Sequence, residues 1–369
     1  MPVKYIFFIL FAGLCLMQTK VFADVNKYWI DQEVQSFIQH KPVKAIVYGL
    51  WINGKPVSIN ALGESMTKVP ATTDMHFRIG GVTETMLTTL LMQMVEQHKI
   101  SLDDKISRWY PDLPNANKIT IKMLANGTSG LRDYVFNKNF IDAVIKEPFR
   151  QWTDESILAY ATPAAFAPDT SQRYSHTDYV VLGSILTKVG KQPLNTLFTS
   201  YIFRKLNLQQ TTFDNVTASM AAPILHAFSQ DRSVYEDATF WNPSWTSYSG
   251  SSVSTIEDLG TWANAWMKGT LLAKKSAQQL KAPDTAGKGA NTRDLYFAMG
   301  FAAANHWLFQ NPAFNGYSGV FAVLPEKNIV FIAFYTMQET DKPPVKHLGV
   351  SLWQEVALKL TPDYPVPEI

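Results

Sequence analysis

The sequence is almost free of cysteine. It has 369 residues and a single cysteine, Cys15. Because Cys15 falls in a leading apolar segment that we expect to be removed, the mature chain is predicted to have no disulfide, no thiolate nucleophile and no cysteine-bound metal. The seven histidines show neither H-x-x-x-H nor H-E-x-x-H spacing. The sequence therefore predicts no metal site and no cofactor.

An excess of charge of either sign is also lacking. The chain carries 33 basic and 31 acidic residues, for a formal net charge of +2. This balance does not favour a nucleic acid as a partner. Hydrophobic residues make up 46% of the chain, which is enough for a large buried core.

The first 23 residues have the three parts of a secretory signal peptide. Lys4 forms a short basic region, an apolar stretch "YIFFILFAGLCLM" follows, and Ala23 ends a small-residue cleavage site. No later run is apolar and long enough to cross a bilayer. We therefore expect cleavage after Ala23, no transmembrane segment in the mature protein, and a periplasmic or secreted location.

The hydrophobic patterns predict strands at both ends of the mature chain. "AIVYGLWI" and "VSINAL" are strand-like runs joined by Asn53-Gly54, which is a strong hairpin signal. Near the C-terminus "SGVFAVL" and "IVFIAFYT" flank a turn-rich connection, and an amphipathic helix follows. The region from about residue 100 to 285 has mainly helical patterns. The predicted fold class is α/β (α+β), with one antiparallel sheet built from both termini and flanked by helices.

A single domain is predicted for residues 24–369. Its sheet lobe would comprise residues 24–80 and 290–369, and a mainly helical second lobe would comprise residues 81–289. A ligand cleft is expected between the two lobes, since ligand sites commonly form at such boundaries.

Several sequence blocks occur in an order that resembles the serine β-lactamase-related family. They include "FRIGGVTET", "LANGTSGLRDY", "RYSHTDYVVLG" and "FNGYSGVFAVLPEKN". That family contains class C β-lactamases, D-alanyl-D-alanine carboxypeptidases and related esterases. The resemblance covers nearly the whole mature chain and implies a β-lactamase/transpeptidase-like fold, but a fold does not by itself imply activity.

The first catalytic motif of the family, S-x-x-K, is altered in this sequence. The resemblance places Gly81 at the serine position and Glu84 at the lysine position. Glycine has no side chain that could form an acyl-enzyme. Glutamate reverses the charge that would assist ionisation of a nearby hydroxyl.

The second and third motifs are altered as well. The Y-x-N motif becomes Tyr174-Ser175-His176, so the tyrosine is present and the asparagine is replaced. The K-T-G or H-T-G motif is best placed at Gln310-Asn311-Pro312, where the basic or imidazole group is absent. No catalytic set is therefore intact, and the family site positions are Gly81, Glu84, Tyr174, His176 and Gln310.

A second S-x-x-K sequence runs from Ser65 to Lys68. It follows the hairpin and precedes Pro70 rather than opening a helix. Residues three apart in an extended segment do not share a face, so this pair is not expected to supply the nucleophile.

Three functions are compatible with these changes. The favoured one is a secreted pseudoenzyme that has lost serine acyl transfer and keeps a cleft for a peptide-like or peptidoglycan-derived ligand or for a protein partner. The second is an active serine hydrolase-fold enzyme of the peptidase, β-lactamase or esterase type with rearranged catalytic residues. The third is a structural or protein-interaction module with a filled cleft. Losing several catalytic groups together usually removes most activity, which favours the first and third.

The two altered positions Glu84 and His176 would compensate one another if they met. In the family that the sequence resembles, the lysine of the first motif lies close to the asparagine of the second, and a carboxylate and an imidazole are complementary in charge. The resemblance therefore implies a Glu84–His176 pair, which could orient a water next to Tyr174.

Overall fold

The computed structural model describes residues 27–341 and 347–368. The signal segment predicted at residues 1–23 lies outside the described residues. The α-helices are α1 (Lys27–His40), α2 (Val82–Glu96), α3 (Ile121–Ala125), α4 (Lys138–Lys146), α5 (Asp154–Leu158), α6 (His176–Gly190), α7 (Leu194–Phe198), α8 (Arg204–Leu206), α9 (Ile256–Lys268), α10 (Lys274–Leu280) and α11 (Leu348–Leu360). Within the described ranges no helix is both long and apolar enough to cross a bilayer.

Fourteen strands are found in the described residues. They are β1 (Val43–Ile52), β2 (Lys55–Met66), β3 (Val69–Pro70), β4 (Phe77–Arg78), β5 (Thr212–Phe213), β6 (Phe228–Ser229), β7 (Glu236–Asp237), β8 (Ser252–Ser254), β9 (Leu295–Phe297), β10 (Ala302–Ala304), β11 (Trp307–Gln310), β12 (Ala313–Phe314), β13 (Tyr317–Leu324) and β14 (Ile329–Met337). Short 3₁₀ turns lie at Ile106–Arg108, Tyr134–Phe136, Pro243–Trp245, Ser247–Ser249 and Pro325–Lys327, and a π-helical turn lies at Thr199–Phe203.

The main sheet joins the two ends of the described chain. Its strand order is β3-β2-β1-β14-β13-β11-β10-β9, with β12 paired to β13. N-terminal β1 and C-terminal β14 are antiparallel neighbours, with Val47 opposite Phe334. The predicted antiparallel sheet made from both termini is therefore confirmed.

The predicted β1–β2 hairpin turns at Asn53-Gly54. Both residues have positive φ angles, 55° for Asn53 and 78° for Gly54. Asparagine and glycine tolerate this left-handed backbone region, which two-residue hairpin turns of type I′ require. The local sequence therefore sets the register of the first hairpin.

The main sheet has a hydrophobic layer on each face. Along β1, Ala45 and Val47 belong to the core shared with the helical lobe. The alternate residues Ile46 and Tyr48 belong to a second core that α1 and α11 cover. Because side chains alternate across a strand, β1 supplies both layers and is buried along nearly its whole length.

Helix α2 is the central element of the larger core. Its residues from Val82 to Met94 are all buried, as expected for a helix that is apolar around most of its circumference. Helix α9 falls in the segment predicted as the helical lobe, but it contacts β1, β13 and β14 and packs on the sheet. The buried Trp266 contacts the ring of Phe321 in β13. The indole N–H of the buried Trp262 donates to Thr85 of α2 at 3.0 Å.

Candidate functional site

A tight turn brings the backbone to the start of α2 at Gly80-Gly81. Gly80 has a φ angle of +49°, and Gly81 is the N-cap residue of α2. A Cβ atom built on Gly81 would lie 2.9 Å from Oε1 of Gln310. The Gln310 amide therefore occupies the space that a side chain at position 81 would need.

Glu84 lies one turn into α2 and is completely buried. The Tyr174 hydroxyl donates to its Oε1 at 2.5 Å, and Gln310 Nε2 approaches its Oε2 at 3.3 Å. Gln310 Nε2 also donates to the carbonyl oxygen of Gly300 at 2.7 Å. Gly81, Glu84, Tyr174 and Gln310 thus form one contact group, here called the Glu84 cluster.

The electrostatics of the Glu84 cluster favour a neutral carboxyl group. Burial raises the pKa of Glu84 well above its ordinary value, although the hydrogen bonds from Tyr174 and Gln310 act in the opposite direction. Burial and the neighbouring carboxyl also raise the pKa of the Tyr174 hydroxyl well above its ordinary range. Two acidic groups, Glu84 and Tyr174, therefore share one hydrogen bond in an interior where an isolated charge would be costly.

The predicted Glu84–His176 pair is wrong. His176 begins α6, and its Nδ1 lies 2.9 Å from Oδ2 of Asp133 instead. Both oxygens of Glu84 already have the partners described above. The His176 ring meets the Tyr174 ring edge-on, with the ring centroids 4.8 Å apart. His176 therefore adjoins the Glu84 cluster through an aromatic contact and takes its ionic partner from a different loop.

Asp133 is the residue of this region to which sequence reasoning assigned no role. It caps the short 3₁₀ turn at Tyr134–Phe136 and is almost completely buried. Its Oδ1 accepts the backbone N–H of Val135 at 3.0 Å, which orients Oδ2 toward His176. The only signal in the sequence was its place in the block "LANGTSGLRDY".

Comparison with known proteins decides the family. The family model described as Beta-lactamase matches residues 30–349. The chain belongs to the beta-lactamase family. This match confirms the resemblance seen in the sequence, and it covers both strand groups and the helical segment between them.

Two curated proteins are similar in sequence to this beta-lactamase-family chain. Protein Rv1367c of Mycobacterium tuberculosis is 28% identical over 186 residues, which are 44% of this chain and 46% of that protein. Protein flp of Staphylococcus aureus strain MW2 is 22% identical over 335 residues, which are 87% of this chain and 66% of that protein. The chain thus spans about half to two thirds of the length of these relatives.

Solved structures with the same fold include a D-amino acid amidase and a D-stereospecific amidohydrolase. D-amino acid amidase from Ochrobactrum anthropi SV3 superposes with a TM-score of 0.77 at 21% identity, over 90% of this chain and 98% of that chain. A D-stereospecific amidohydrolase from Streptomyces gives a TM-score of 0.75 at 22% identity, over 83% and 93%. At such identity the likeness establishes the β-lactamase/transpeptidase-like fold alone.

In this beta-lactamase-family chain the second S-x-x-K sequence spans the end of β2 and the following turn and, as predicted, does not open a helix. Ser65 is buried near the end of β2, where its hydroxyl donates to the carbonyl oxygen of Ile224 at 3.0 Å and accepts the N–H of His226 at 2.8 Å. Lys68 is exposed in the turn after β2 and has a φ angle of 61°. Ser65 therefore anchors a loop to the sheet and has no lysine partner on its own face.

The Glu84 cluster offers hydrogen bonding without an evident nucleophile. Its groups are a carboxyl, a phenol and a carboxamide, and position 81 has no side chain. Across residues 27–341 and 347–368 no group of three or more His, Cys, Asp or Glu side chains is placed to hold a metal ion. The His176–Asp133 pair adjoins these groups through the Tyr174 ring.

Proposed function

We propose that this protein is an exported member of the beta-lactamase family that holds a peptide-like or peptidoglycan-derived ligand without forming an acyl-enzyme. The observation that carries the proposal is the Glu84 cluster. Gly81 stands where the family resemblance implies a nucleophilic serine, and the Gln310 amide fills the neighbouring space. The carboxyl of Glu84 stands where a lysine would hold the proton, and two donors engage it.

The chemical class of the ligand is suggested by the solved structures with this fold. Two of them are named for action on D-amino acid amides or for D-stereospecificity, and a penicillin-binding protein from Bacillus halodurans has the same fold with a TM-score of 0.73. A ligand with a terminal D-amino acid residue is therefore the first candidate. The donors of Tyr174 and Gln310 are already engaged, so the Tyr174 hydroxyl oxygen and Gln310 Oε1 would act as acceptors for its amide N–H groups.

The test uses the mature protein, residues 24–369. It is incubated with a fluorescent penicillin and with a fluorophosphonate, and its intact mass is then measured. We expect no covalent adduct, together with a ligand-dependent rise in melting temperature when D-alanyl-D-alanine peptides or peptidoglycan fragments are added. A stoichiometric mass increase that maps to any serine would overturn the proposal, and Ser65→Ala would show at once whether the strand serine had reacted.

The variant Gly81→Ser provides the matched comparison. Its new Cβ would lie 2.9 Å from Oε1 of Gln310 unless that amide moves. Because Glu84 still replaces the lysine, we expect this variant to remain without a penicilloyl adduct and with background β-lactam turnover. Substantial turnover by Gly81→Ser would mean that the loss of the lysine matters less than proposed here.

A further inference from the structure

The His176–Asp133 pair has the geometry of an oriented base. Nδ1 of His176 lies 2.9 Å from a carboxylate oxygen of Asp133, and that carboxylate is itself fixed by the N–H of Val135. A carboxylate accepts a hydrogen bond, so Nδ1 of the neutral imidazole carries the proton. The lone pair is therefore on Nε2.

The second ring nitrogen of His176 is free to act. In the described part of the chain the one hydrogen bond of this ring is made by Nδ1. Nε2 has no hydrogen-bond partner among residues 27–341 and 347–368. The His176 side chain is 25% exposed, whereas the Asp133 side chain is 3% exposed. A water or a bound ligand can thus approach the ring while its orienting carboxylate stays shielded.

The pair lies beside the Glu84 cluster. The Tyr174 ring, whose hydroxyl binds Glu84, contacts the His176 ring at 4.8 Å, and the Tyr134 ring lies at 6.1 Å on another side. The ionisable groups around His176 are therefore Asp133 in direct contact, these two phenols, Glu84 behind Tyr174, and Asp178 two residues further along α6. The rings of Tyr174 and His176 are both partly exposed, so a ligand in contact with the Tyr174 ring would lie beside the imidazole.

We infer that His176 acts as a general base that removes a proton from water in the direct hydrolysis of a carboxylic ester bound beside Tyr174, with Asp133 as the positioning residue. In this step Nε2 accepts one proton as the water oxygen forms a bond to the carbonyl carbon. The tetrahedral intermediate then breaks its bond to the alkoxy oxygen, and the imidazolium returns the proton to that leaving oxygen. The products are a carboxylic acid and an alcohol, and no protein side chain is acylated.

An ester suits this site better than an amide. An alkoxide leaves with less proton donation than an amine requires, and His176 is the group that would supply that proton. The inference rests on the proposed function only in requiring that the ligand binds beside Tyr174 and that no serine is acylated.

The experiment measures hydrolysis of p-nitrophenyl acetate and p-nitrophenyl butyrate by the mature protein. His176→Gln should lower kcat/KM by about 100-fold or more, the usual contribution of a general base. Asp133→Asn keeps the cap on the 3₁₀ turn and disturbs the tautomer, so it should lower kcat at least about tenfold and change the pH–rate profile. A normal solvent deuterium isotope effect is expected for proton removal from water.

A matched control lies elsewhere in the chain. His226 has its own carboxylate partner, with Nδ1 2.6 Å from Oδ2 of Asp237, and it is not part of the Glu84 cluster. His226→Gln should leave hydrolysis unchanged, which separates the proposed site from general surface imidazole catalysis. Circular dichroism checks that each variant is folded. Rescue of His176→Ala by added imidazole tests the base directly, since rescue needs an intact site.

Each outcome separates the two proposals. Turnover that depends on His176, without a mass increase, supports the inference. Turnover no faster than buffer, or unchanged by His176→Gln, overturns it and leaves the proposed non-acylating function intact. An acyl adduct on a serine overturns both, because hydrolysis would then proceed through that serine.

Discussion

The buried carboxyl of Glu84 should make the stability of the protein depend on pH in a recognisable way. Burial raises the pKa of Glu84 in the folded protein above its value in the unfolded chain. Between those two values the folded state binds more protons than the unfolded state does. The free energy of unfolding contributed by Glu84 is therefore fully present below the unfolded pKa and is lost as pH rises toward the folded one.

The size of this pH dependence is set by the one proton that the folded protein binds at Glu84 and the unfolded chain does not. A single group in this regime changes the free energy of unfolding by about 1.4 kcal/mol per pH unit. An ordinary glutamate titrates near pH ~4.3, so above about pH 5 the parent loses about 1.4 kcal/mol per pH unit for as long as the folded group stays protonated. Burial also raises the pKa of Asp178. Its contribution to the pH dependence of unfolding cancels when the parent is compared with a variant that differs only at position 84.

The variant Glu84→Gln isolates this contribution. Its amide oxygen can still accept from Tyr174, but its amide nitrogen would face Nε2 of Gln310, which is also a donor. We expect Glu84→Gln to be less stable than the parent at pH 5 by about 1–3 kcal/mol, the cost of a poorly paired buried polar group. The deficit should shrink by about 1.4 kcal/mol for each pH unit above 5 and then reverse.

Urea unfolding followed by tryptophan fluorescence at pH 5, 6 and 7 measures this difference, since the chain has ten tryptophans. Glu257→Gln on α9 is the control. Glu257 is exposed, so the variant should follow the parent at every pH. Parallel curves for the parent and Glu84→Gln would refute the reasoning, because they would mean that Glu84 is ionised to the same extent in both states.

Three further outcomes test the fold and the export of the chain. Gly54→Ala should lower the free energy of unfolding by about 1 kcal/mol because Gly54 has a φ angle of 78°, whereas Gly54→Asn should cost less, and urea titrations of both variants measure this. Leu352→Ala should cost about 2–5 kcal/mol by the same assay because Leu352 is fully buried, while the exposed Leu358→Ala serves as a control near zero. Edman sequencing of exported protein should begin at Asp24, and a start at Met1 would contradict the predicted signal peptide.

The long elements of the fold were predictable because each repeats a clear hydrophobic pattern. β1 and β14 are long enough to display their strand character, and Asn53-Gly54 supplies the turn between β1 and β2. Strands β9 to β12 were not predicted. They have two to four residues each, which is too few to show alternation, and they are held in place by pairing along the edge of the sheet.

The sequence predicted the motif residues of the site but not the partner of His176. Motif order identified Gly81, Glu84, Tyr174 and Gln310, and the structure brings these four together. The partner of His176 was missed because Asp133 is 43 residues away in sequence. Its carboxylate is aimed by the local 3₁₀ turn, which no periodic pattern reveals.

The changes in the Glu84 cluster depend on one another physically. A buried carboxyl at position 84 needs hydrogen-bond donors, and Tyr174 and Gln310 supply them. Gln310 can reach Glu84 because Gly81 has no side chain in its way. A serine at position 81 would displace the amide. A lysine at position 84 could donate to the Tyr174 hydroxyl oxygen, but it would face Gln310 Nε2 with a second donor and leave that N–H without its acceptor. Either single change would leave a buried polar group poorly paired, so we expect Gly81→Ser and Glu84→Lys each to lower the free energy of unfolding.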